Sequence, residues 1–256
     1  MMKFGIQMYG LRDMCKRDPK ALFQNLHESG FDKFEPCVVV GETLPGMDAF
    51  WTEAEFAQNL PLLKANGLSI PSCHVFFQDP LKDAPALAAF AKKYGIPQLV
   101  IGCWTAFDKP SLEAFSKKLC VIAHALQEVD AMLLIHNGAA DVSAKVDGVS
   151  AYEWVLDACG GMVFSQLDTG WMQVGGVDPV SFLERKSAVI RSLHHKDFLA
   201  GSTGTPDVAI GSGMVDTLAC YRLGLAYDVP QIFDQDCGAM LMDAQNTLKF
   251  FAQADS

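Results

Sequence analysis

The chain has 256 residues and a formal net charge of −10, because 30 Asp and Glu residues outnumber 20 Lys and Arg residues. This acidic balance argues against a nucleic-acid-binding surface, which needs clustered Lys and Arg to neutralise phosphates. A 50% hydrophobic content argues against a disordered chain. No apolar run approaches the ~18 residues of a membrane span, and the charged Arg12 and Asp13 come too early for a signal peptide. We therefore predict one cytoplasmic, globular domain over residues 1–256, with neither a nucleic-acid partner nor a membrane partner.

The eight cysteines are spread along the chain, and none belongs to a CxxC pair. A zinc knuckle or a redox dithiol needs closely spaced cysteines. Cys37 and Cys103 lie instead in apolar strings, where a thiol behaves as a small hydrophobic side chain. The pattern predicts reduced, structural thiols.

Short apolar runs alternate with segments of helical periodicity along the whole chain. An early helical segment, residues 21–27, ends before Gly30, and another, residues 54–66, ends before Gly67. Residues 112–129 carry apolar side chains at the i, i+3, i+4 spacing of a helix that packs on a sheet. The apolar runs begin near Phe4, Phe34, Leu68, Leu99, Met132, Val163, Val189 and Gln231.

Strands that alternate with helices pair in parallel, with right-handed crossovers. Two folds satisfy this pattern, an open doubly wound sheet and a closed (β/α)8 barrel. The first strand is not followed by the Gly-x-Gly-x-x-Gly fingerprint of dinucleotide-binding sheets. Eight units within 256 residues therefore predict an α/β fold, a single-domain (β/α)8 TIM barrel.

Polar side chains come at the ends of most predicted strands, where a barrel carries its active site. A single His or Asp after a strand is more often a loop cap or a satisfied polar group than a ligand, so the prediction depends on several strand ends agreeing. Carboxylate oxygens and imidazole nitrogens suit Mn²⁺, Co²⁺, Mg²⁺ or Zn²⁺. The residues at these ends are Glu35, His74, His136, Asn137, Asp168, His194, His195, Lys196, Asp197, Asp234, Gln235 and Asp236.

Other titratable residues are expected to be structural. His27 and His124 lie in helical patterns, which predict surface or packing roles. Asp147, Asp178 and Asp216 precede helix-like segments and predict turns or N-caps.

Several stretches resemble the xylose isomerase-like TIM-barrel superfamily, and in particular its sugar phosphate isomerase/epimerase branch. The matches span almost the whole chain in the expected order, and they imply the same TIM barrel. They are residues 5–13 (GIQMYGLRD), 134–137 (LIHN), 165–171 (SQLDTGW), 175–179 (GGVDP), 193–198 (LHHKDF) and 210–216 (IGSGMVD).

The resemblance implies one divalent metal ion, held by a Glu from strand five, an Asp from strand six, a His from strand seven and a Glu from strand eight. Asp168 and His194 match this pattern directly, and Asp234 stands in place of the strand-eight Glu. Related sequences often continue His-Asn-His-x-x-Glu after strand five, whereas this chain has Gly for the second His and Asp141 near the Glu position. Either His136 or Asp141 is then the fourth ligand, or the metal site is weakened or lost.

The chemistry that the resemblance implies is removal of a proton beside a carbonyl, through a metal-stabilised enediolate. Asp234 is expected to be both ligand and base, Lys196 to stabilise negative charge and His74 to bind a substrate hydroxyl. This predicts an isomerase or epimerase of a small sugar, polyol or keto-sugar. We also expect Asp168→Ala to abolish metal binding and to leave the fold intact.

The predicted substrate contacts are Glu35, Trp104 and Asp236, and the predicted partner is a small carbohydrate. Trp104 and Phe76 follow their strands closely, where an aromatic ring walls a pocket or simply packs. The aromatic segment 47–51 is compatible with a contact in a homo-oligomer and equally with a helix packed on the barrel.

Alternative functions stay open at this stage. A lyase that dehydrates a keto-polyol begins with the same enolate, and a degenerate barrel binds a sugar without turnover. Apurinic-site endonucleases share the superfamily, but they need several zinc ligands and a basic face. Six His residues and an isoelectric point near 5.0 argue against that activity.

Overall fold

A computed structural model describes residues 4–42, 44–102, 106–204, 207–236 and 240–254 of the protein. Its strands are β1 (Gly5–Gln7), β2 (Lys33–Glu35), β3 (Cys37–Val39), β4 (Trp51–Thr52), β5 (Cys73–Phe76), β6 (Gln98–Ile101), β7 (Met132–His136), β8 (Lys145–Val146), β9 (Val149–Ser150), β10 (Val163–Asp168), β11 (Ile190–His195) and β12 (Gln231–Phe233). Its α-helices are α1 (Arg12–Arg17), α2 (Pro19–Ser29), α3 (Glu53–Ala65), α4 (Pro80–Tyr94), α5 (Lys109–Gln127), α6 (Ala139–Ser143), α7 (Ala151–Ala158), α8 (Thr169–Val174), α9 (Pro179–Lys186), α10 (Thr217–Ala226) and α11 (Met240–Ala254).

Ten of the strands form one sheet, in the order β2-β1-β12-β11-β10-β7-β6-β5-β3-β4. β2 and β3 are consecutive pieces of one segment, residues 33–39, which is interrupted only at Pro36. β2 pairs in parallel with β1, and β3 pairs in parallel with β5, so this segment joins the two ends of the order. The sheet therefore closes into a barrel, with the short β4 added beside β3. The predicted (β/α)8 TIM-barrel fold is confirmed.

The third predicted strand begins later than its apolar run suggests. Near the start of that run the chain makes only an isolated bridge, between Lys33 and Ser69. Pro71 follows, and because proline has no N–H to donate, regular pairing starts beyond it, at Cys73. His74 consequently lies inside β5 and not after it.

The helix ends follow the predicted signals. Gly30 after α2 and Gly67 after α3 have φ angles of +100° and +67°, in the left-handed region that favours glycine. Asp178 and Asp216 cap α9 and α10, because each carboxylate accepts a hydrogen bond from an N–H in the first turn. Asp147 lies in the turn between β8 and β9, with a φ of +51°. None of the described helices combines the length and the apolar composition that crossing a membrane requires.

The apolar periodicity also locates the core correctly. The predicted stripe of α5 is buried at Leu112, Leu119, Ile122, Ala123 and Leu126. The cysteines that the structure describes are free, and most are buried, as expected of structural thiols: Cys15, Cys37, Cys73, Cys159 and Cys220 are buried and Cys120 is half-buried. Cys103 and Cys237 lie outside the described residues.

A buried tyrosine ties the helical layer to the barrel close to the strand ends. The hydroxyl of Tyr152, on α7, donates to the carbonyl of Ile135 at 3.0 Å. The same oxygen lies 2.6 Å from Ser165 Oγ, which therefore donates to it. Tyr152 thus joins β7 and β10 one to three residues before their terminal polar side chains.

Tyr152→Phe is expected to lower the free energy of unfolding by about 1–3 kcal/mol, because it leaves buried polar groups unpaired. Denaturant unfolding measures this loss. Tyr94→Phe is the matched control: its hydroxyl contacts Glu53 at 3.1 Å where water can replace it, so we expect a loss below about 1 kcal/mol. Equal losses in the two variants would contradict the assigned role of Tyr152.

Candidate active site

Side chains at the ends of four neighbouring strands converge on one point. β7, β10, β11 and β12 are adjacent and parallel, so their carboxyl ends lie at the same rim of the barrel. His136 ends β7, Asp168 ends β10, His194 lies near the end of β11, and Asp234 follows β12. One nitrogen or oxygen atom from each residue lies within 4.8 Å of those from the other three. The structure therefore brings these four predicted ligands together.

This cluster leaves two buried carboxylate oxygens without a hydrogen bond from any described residue. His136 Nε2 lies 3.2 Å from His194 Nδ1 and 3.6 Å from Asp168 Oδ2, and His194 Nδ1 lies 3.2 Å from Asp234 Oδ2. Asp168 Oδ2 and Asp234 Oδ1 accept no hydrogen bond from any described residue. Because buried anionic oxygens need a donor or a cation, the cluster has the chemistry of a cation site.

A second layer lies beside the cluster and is centred on the fully buried Glu35. Its Oε1 accepts hydrogen bonds from Ser72 Oγ and, at 2.6 Å, from Gln166 Nε2. Its Oε2 lies 2.6 Å from His194 Nε2. Burial opposes ionisation, but the charges of His194 and His74 lower the pKa of Glu35 to about 2. Glu35 is therefore a fixed anion that orients the His194 ring.

His194 holds a proton between two carboxylates. Burial favours the neutral ring, but the charge of Glu35 and the hydrogen bond to Asp234 raise the pKa of His194 to about 10. Nε2 faces Glu35, and Nδ1 faces the cluster. A cation bound at the cluster would displace the Nδ1 proton, while Glu35 would keep its hydrogen bond to Nε2.

His74 reaches the cavity as a defined tautomer. Because the Gln166 amide nitrogen donates to Glu35, the Gln166 carbonyl accepts from His74 Nε2 at 2.6 Å. This leaves Nδ1 of His74 as a hydrogen-bond acceptor. Burial lowers the pKa of His74 to about 4, although the charge of Glu35 opposes the shift. His74 is therefore neutral near pH 7 and can accept a hydrogen bond from a hydroxyl group.

Lys196 is a buried cation next to the cluster. Its Nζ lies 3.1 Å from Asp234 Oδ2 and 2.8 Å from Asp236 Oδ2, and it sits over the Trp171 ring at 5.3 Å from the centroid. Burial favours the neutral amine, but the charges of Asp234 and Asp168 raise the pKa of Lys196 above its usual range. Burial and the charge of Asp234 raise the pKa of Asp236 to about 6.

The cluster opens into a cavity of about 830 Å³ at the carboxyl ends of the strands. Aromatic side chains line much of it, and Phe50 and Phe76 stack there with ring centroids 4.7 Å apart. The polar side chains that line it include His74, His136, Lys196, Asp234 and Asp236.

Two predicted site residues, Asp141 and Glu35, lie outside the four-residue cluster. Asp141 is in the first turn of α6, where its carboxylate accepts from the N–H of Gly138 at 2.8 Å. Of the two alternatives for strand five, the structure therefore places His136 and not Asp141 in the cluster. Glu35 does not line the cavity and reaches it only through the histidines. Trp104 lies outside the described residues.

The alternation of a β-strand divides the run at the end of β11 between two faces. His194 and Lys196 face the site, whereas His195 points to the opposite side and lies 2.7 Å from Gln231 Oε1. Burial lowers the pKa of His195 to about 4, so this ring is neutral. Asp197 also turns away, into the loop that follows the strand.

The residues that position the cluster through hydrogen bonds, Gln166, Ser72 and Asn137, were not predicted from the sequence in this role. Gln166 lies two residues before Asp168, so counting back along the same face of β10 would have found it. Ser72 precedes β5 in an irregular stretch and carries no such signal. Asn137 is one of the predicted strand-end residues, but the sequence does not indicate its role: its side chain accepts from the Asp168 N–H at 2.8 Å and donates to the Asp168 carbonyl at 3.0 Å.

In sequence, the chain matches no protein-family model and no curated protein. Among solved structures it is similar to a sugar phosphate isomerase/epimerase from Parabacteroides distasonis ATCC 8503, with a TM-score of 0.79 and 15% identity, covering 98% of this chain and 97% of that chain. It is also similar to the probable 3-DHS dehydratase AsbF from Bacillus anthracis, with a TM-score of 0.74 and 14% identity, covering 97% of this chain and 99% of that one.

A third similar structure is D-psicose 3-epimerase from Clostridium cellulolyticum H10, with a TM-score of 0.70 and 12% identity, covering 98% of this chain and 99% of that one. All three likenesses extend over nearly the whole chain. They confirm the TIM-barrel fold that the resemblance to the xylose isomerase-like superfamily implied.

Asn137→Ala is expected to lower the free energy of unfolding by about 2–4 kcal/mol, since it removes two hydrogen bonds to the buried backbone of Asp168. Denaturant unfolding measures the loss. Asn66→Ala serves as the control, because the half-buried Asn66 makes one bond, to the carbonyl of Leu62, and its loss should cost about 1 kcal/mol or less. A cost for Asn137→Ala no larger than that of the control would overturn the role given to Asn137.

Proposed function

We propose that the protein is a divalent-metal-dependent isomerase or epimerase of a small sugar, polyol or keto-sugar. The observation that carries the proposal is the cluster of His136, Asp168, His194 and Asp234, where two buried carboxylate oxygens beside a cavity accept no hydrogen bond from a described residue. Proton removal beside a carbonyl needs an electrophile, a base and groups that hold hydroxyls. The residues at this rim are of the types that supply these functions.

The donor set fits a divalent transition-metal ion. Two imidazole nitrogens and two carboxylate oxygens suit Mn²⁺, Co²⁺ or Zn²⁺, whereas Mg²⁺ prefers oxygen ligands. Asp168 Oδ2, which accepts no hydrogen bond from a described residue, is the atom that most needs such an ion. When bound, the ion supplies Lewis acidity to the carbonyl and neighbouring hydroxyl oxygens of the substrate.

The protein's own residues would bind the substrate and move its proton. Asp234 is the proposed base, because its Oδ1 is free of hydrogen bonds from described residues, whereas its Oδ2 faces His194 and Lys196. His74 Nδ1 would accept a hydrogen bond from a substrate hydroxyl. Lys196 Nζ would stabilise negative charge that develops on a substrate oxygen. Asp236, on the cavity wall, is a proposed substrate contact.

The direction in which the proton returns distinguishes the possible reactions. Return to the neighbouring carbon gives an isomerase, and return to the opposite face of the same carbon gives an epimerase. Loss of a β-hydroxyl in place of either gives a dehydratase, and the probable dehydratase from Bacillus anthracis shares the fold. A dehydratase of a keto-polyol is therefore the second candidate. A barrel that binds a sugar without turnover is the third.

The purified protein is expected to take up close to one equivalent of Mn²⁺, Co²⁺ or Zn²⁺ and to gain thermal stability from it. In Asp168→Asn we expect the ion to be lost, as elemental analysis and thermal unfolding would show. The amide preserves Oδ1, which caps α8 by accepting from Trp171 N at 2.7 Å. Asp168→Ala would remove this cap as well, at a cost of about 1 kcal/mol, so Asp168→Asn isolates the effect on the ion more cleanly.

Asp178→Asn is the control for this measurement, because Asp178 caps α9 away from the cavity. It is expected to bind the ion as the wild type does. A wild-type content below about a tenth of an equivalent under saturating loading would count against a metalloenzyme, and so would full retention of the ion by Asp168→Asn.

The metal-loaded protein in D₂O is expected to place deuterium on a carbon beside the carbonyl of a free ketose, which mass spectrometry detects. Lys196→Met should slow this exchange by about 10²–10³-fold, because one charge-stabilising group is lost, while the metal content is unchanged. Lys186→Met, which alters a surface pair with Asp157, is the control. Products that are lighter by one water would support the dehydratase instead, and exchange at the wild-type rate in Lys196→Met would contradict the role of Lys196.

A further inference from the structure

Two free cysteines from neighbouring helices lie in contact with each other. Cys120 lies on α5, and Cys159 directly follows α7. The Cys159 thiol donates to the backbone carbonyl of Ser116 at 3.9 Å. In an α-helix the carbonyl of residue i faces residue i+4, which here is Cys120. The sulfur of Cys159 therefore lies against the turn of α5 that carries Cys120, and the two thiols are within hydrogen-bonding distance of each other.

The packing of the helical layer brings these two thiols together across a long stretch of chain. α5 and α7 contact each other, and both contact β10. Leu119 and Ala123 of α5 and Val155 of α7 are buried. A bond between the sulfur atoms of Cys120 and Cys159 would therefore join two elements that the barrel already holds in place. Neither cysteine is among the described residues that line the cavity above the strand ends.

The two thiols differ in their access to solvent. Cys120 is half-buried, whereas Cys159 is only 3% exposed. A small oxidant in solution therefore meets Cys120 first. Burial and the neighbouring Cys120 thiol raise the pKa of Cys159 to about 12, so Cys159 stays protonated near pH 7. Cys120 is thus placed to react with the oxidant, and Cys159 to react with the oxidised Cys120.

The buried Cys37 and Cys73 lie on paired strands but are not arranged in this way. Cys37 of β3 is in register with His74 of β5. Partners in register face the same side of a sheet, and successive residues of a strand face opposite sides. Cys73, one residue before His74, therefore faces away from Cys37, which disfavours a disulfide between them. Contact between the thiols distinguishes Cys120 and Cys159 from this pair.

We propose that Cys120 and Cys159 are a site of reversible oxidation, at which hydrogen peroxide converts the two thiols into a disulfide that joins α5 to the end of α7. The Cys120 thiolate attacks one peroxide oxygen and the O–O bond breaks, which gives a sulfenic acid on Cys120 and a hydroxide that takes up the proton lost by Cys120. The Cys159 sulfur then attacks the Cys120 sulfur and displaces hydroxide, which leaves as water with the Cys159 proton. Two thiols and one hydrogen peroxide thus give one disulfide and two molecules of water, and a thiol reductant restores the two thiols.

The disulfide would close a loop that runs from residue 120 to residue 159 and contains β7 with His136. Closing a loop of this length restricts the unfolded chain and so stabilises the fold. The contact that oxidation removes is weak, since the Cys159 S–H is a poor donor and its acceptor lies 3.9 Å away. The oxidised form is therefore expected to be more stable than the reduced form.

The first test maps the disulfide in the purified protein. The protein is treated with hydrogen peroxide, its remaining thiols are alkylated after denaturation, and its tryptic peptides are measured by mass spectrometry without reduction. Lys145 lies between the two cysteines, so trypsin places them in separate peptides unless a disulfide joins them. We expect these two peptides to appear as one joined species that a reductant separates. Alkylation of both cysteines after the peroxide treatment, or Cys120 joined mainly to another cysteine, would overturn the proposal.

Serine variants separate the roles of the two thiols. In Cys159→Ser, peroxide is expected to leave a sulfenic acid on Cys120, which dimedone labels. In Cys120→Ser, Cys159 is expected to stay reduced, because it is the less accessible thiol. Cys220→Ser, which removes a buried thiol of α10, is the control and is expected to form the disulfide as the wild type does. Oxidation of Cys159 in Cys120→Ser as fast as in the wild type would contradict the role of Cys120.

Thermal unfolding tests whether the disulfide fits the fold. The peroxide-treated wild type is expected to unfold at a temperature about 5 °C or more above that of the same sample after reduction, because the disulfide restricts the unfolded chain. Cys120→Ser is expected to unfold at the same temperature after either treatment. A peroxide-treated wild type that unfolds at or below the temperature of the reduced protein would contradict the proposed bond between α5 and the end of α7.

Discussion

The site depends on one imidazole held between two buried carboxylates. Glu35 comes from the segment that closes the barrel and Asp234 follows β12, and His194 on β11 contacts both, at 2.6 and 3.2 Å. Without the His194 imidazole, the buried carboxylates of Glu35 and Asp234 would lose the cation between them. Such a loss lowers the free energy of unfolding by several kcal/mol. The second oxygen of Glu35 is satisfied by Ser72 and Gln166, and Gln166 in turn sets the tautomer of His74. Ser72, Gln166 and His194 thus satisfy the buried, ionised carboxylate of Glu35, and through Gln166 this arrangement also orients His74.

Several of the chain's acidic residues stabilise loops and helix starts at the carboxyl ends of the barrel strands. Carboxylates hold the loop after β11 through Asp197 and the starts of α6 and α8 through Asp141 and Asp168. Each replaces water or an external anion at backbone N–H groups and so stabilises a βα connection. These carboxylates are therefore fixed by the fold before any substrate arrives.

The sequence predicts the fold well because its main signals are local. Apolar runs, glycine stops such as Gly30 and caps such as Asp178 each depend on a few neighbouring residues. The site is only partly predictable, because strand ends show which side chains share a rim but not which of them meet. His136 and Asp141 were equivalent by sequence, but in the structure Asp141 accepts a hydrogen bond from the Gly138 N–H at the start of α6, and His136 joins the cluster. Ser72 could not be found at all, since no periodicity leads to it.

The choice of His136 over a carboxylate alters the electrostatics of the proposed metal site. With Asp168 and Asp234 as its charged ligands, a site that holds a divalent ion would have no net charge. The Glu that the resemblance implies at strand five would instead make the net charge of the site negative. The site with His136 binds its ion less tightly, because one full charge is missing from the ligand set. It also leaves the ion more able to stabilise an oxyanion on the substrate, since fewer negative charges oppose the one that forms. His136 in place of a Glu would therefore weaken binding of the ion but strengthen its stabilisation of the substrate oxyanion. Lys196, beside Asp234, would also stabilise that oxyanion.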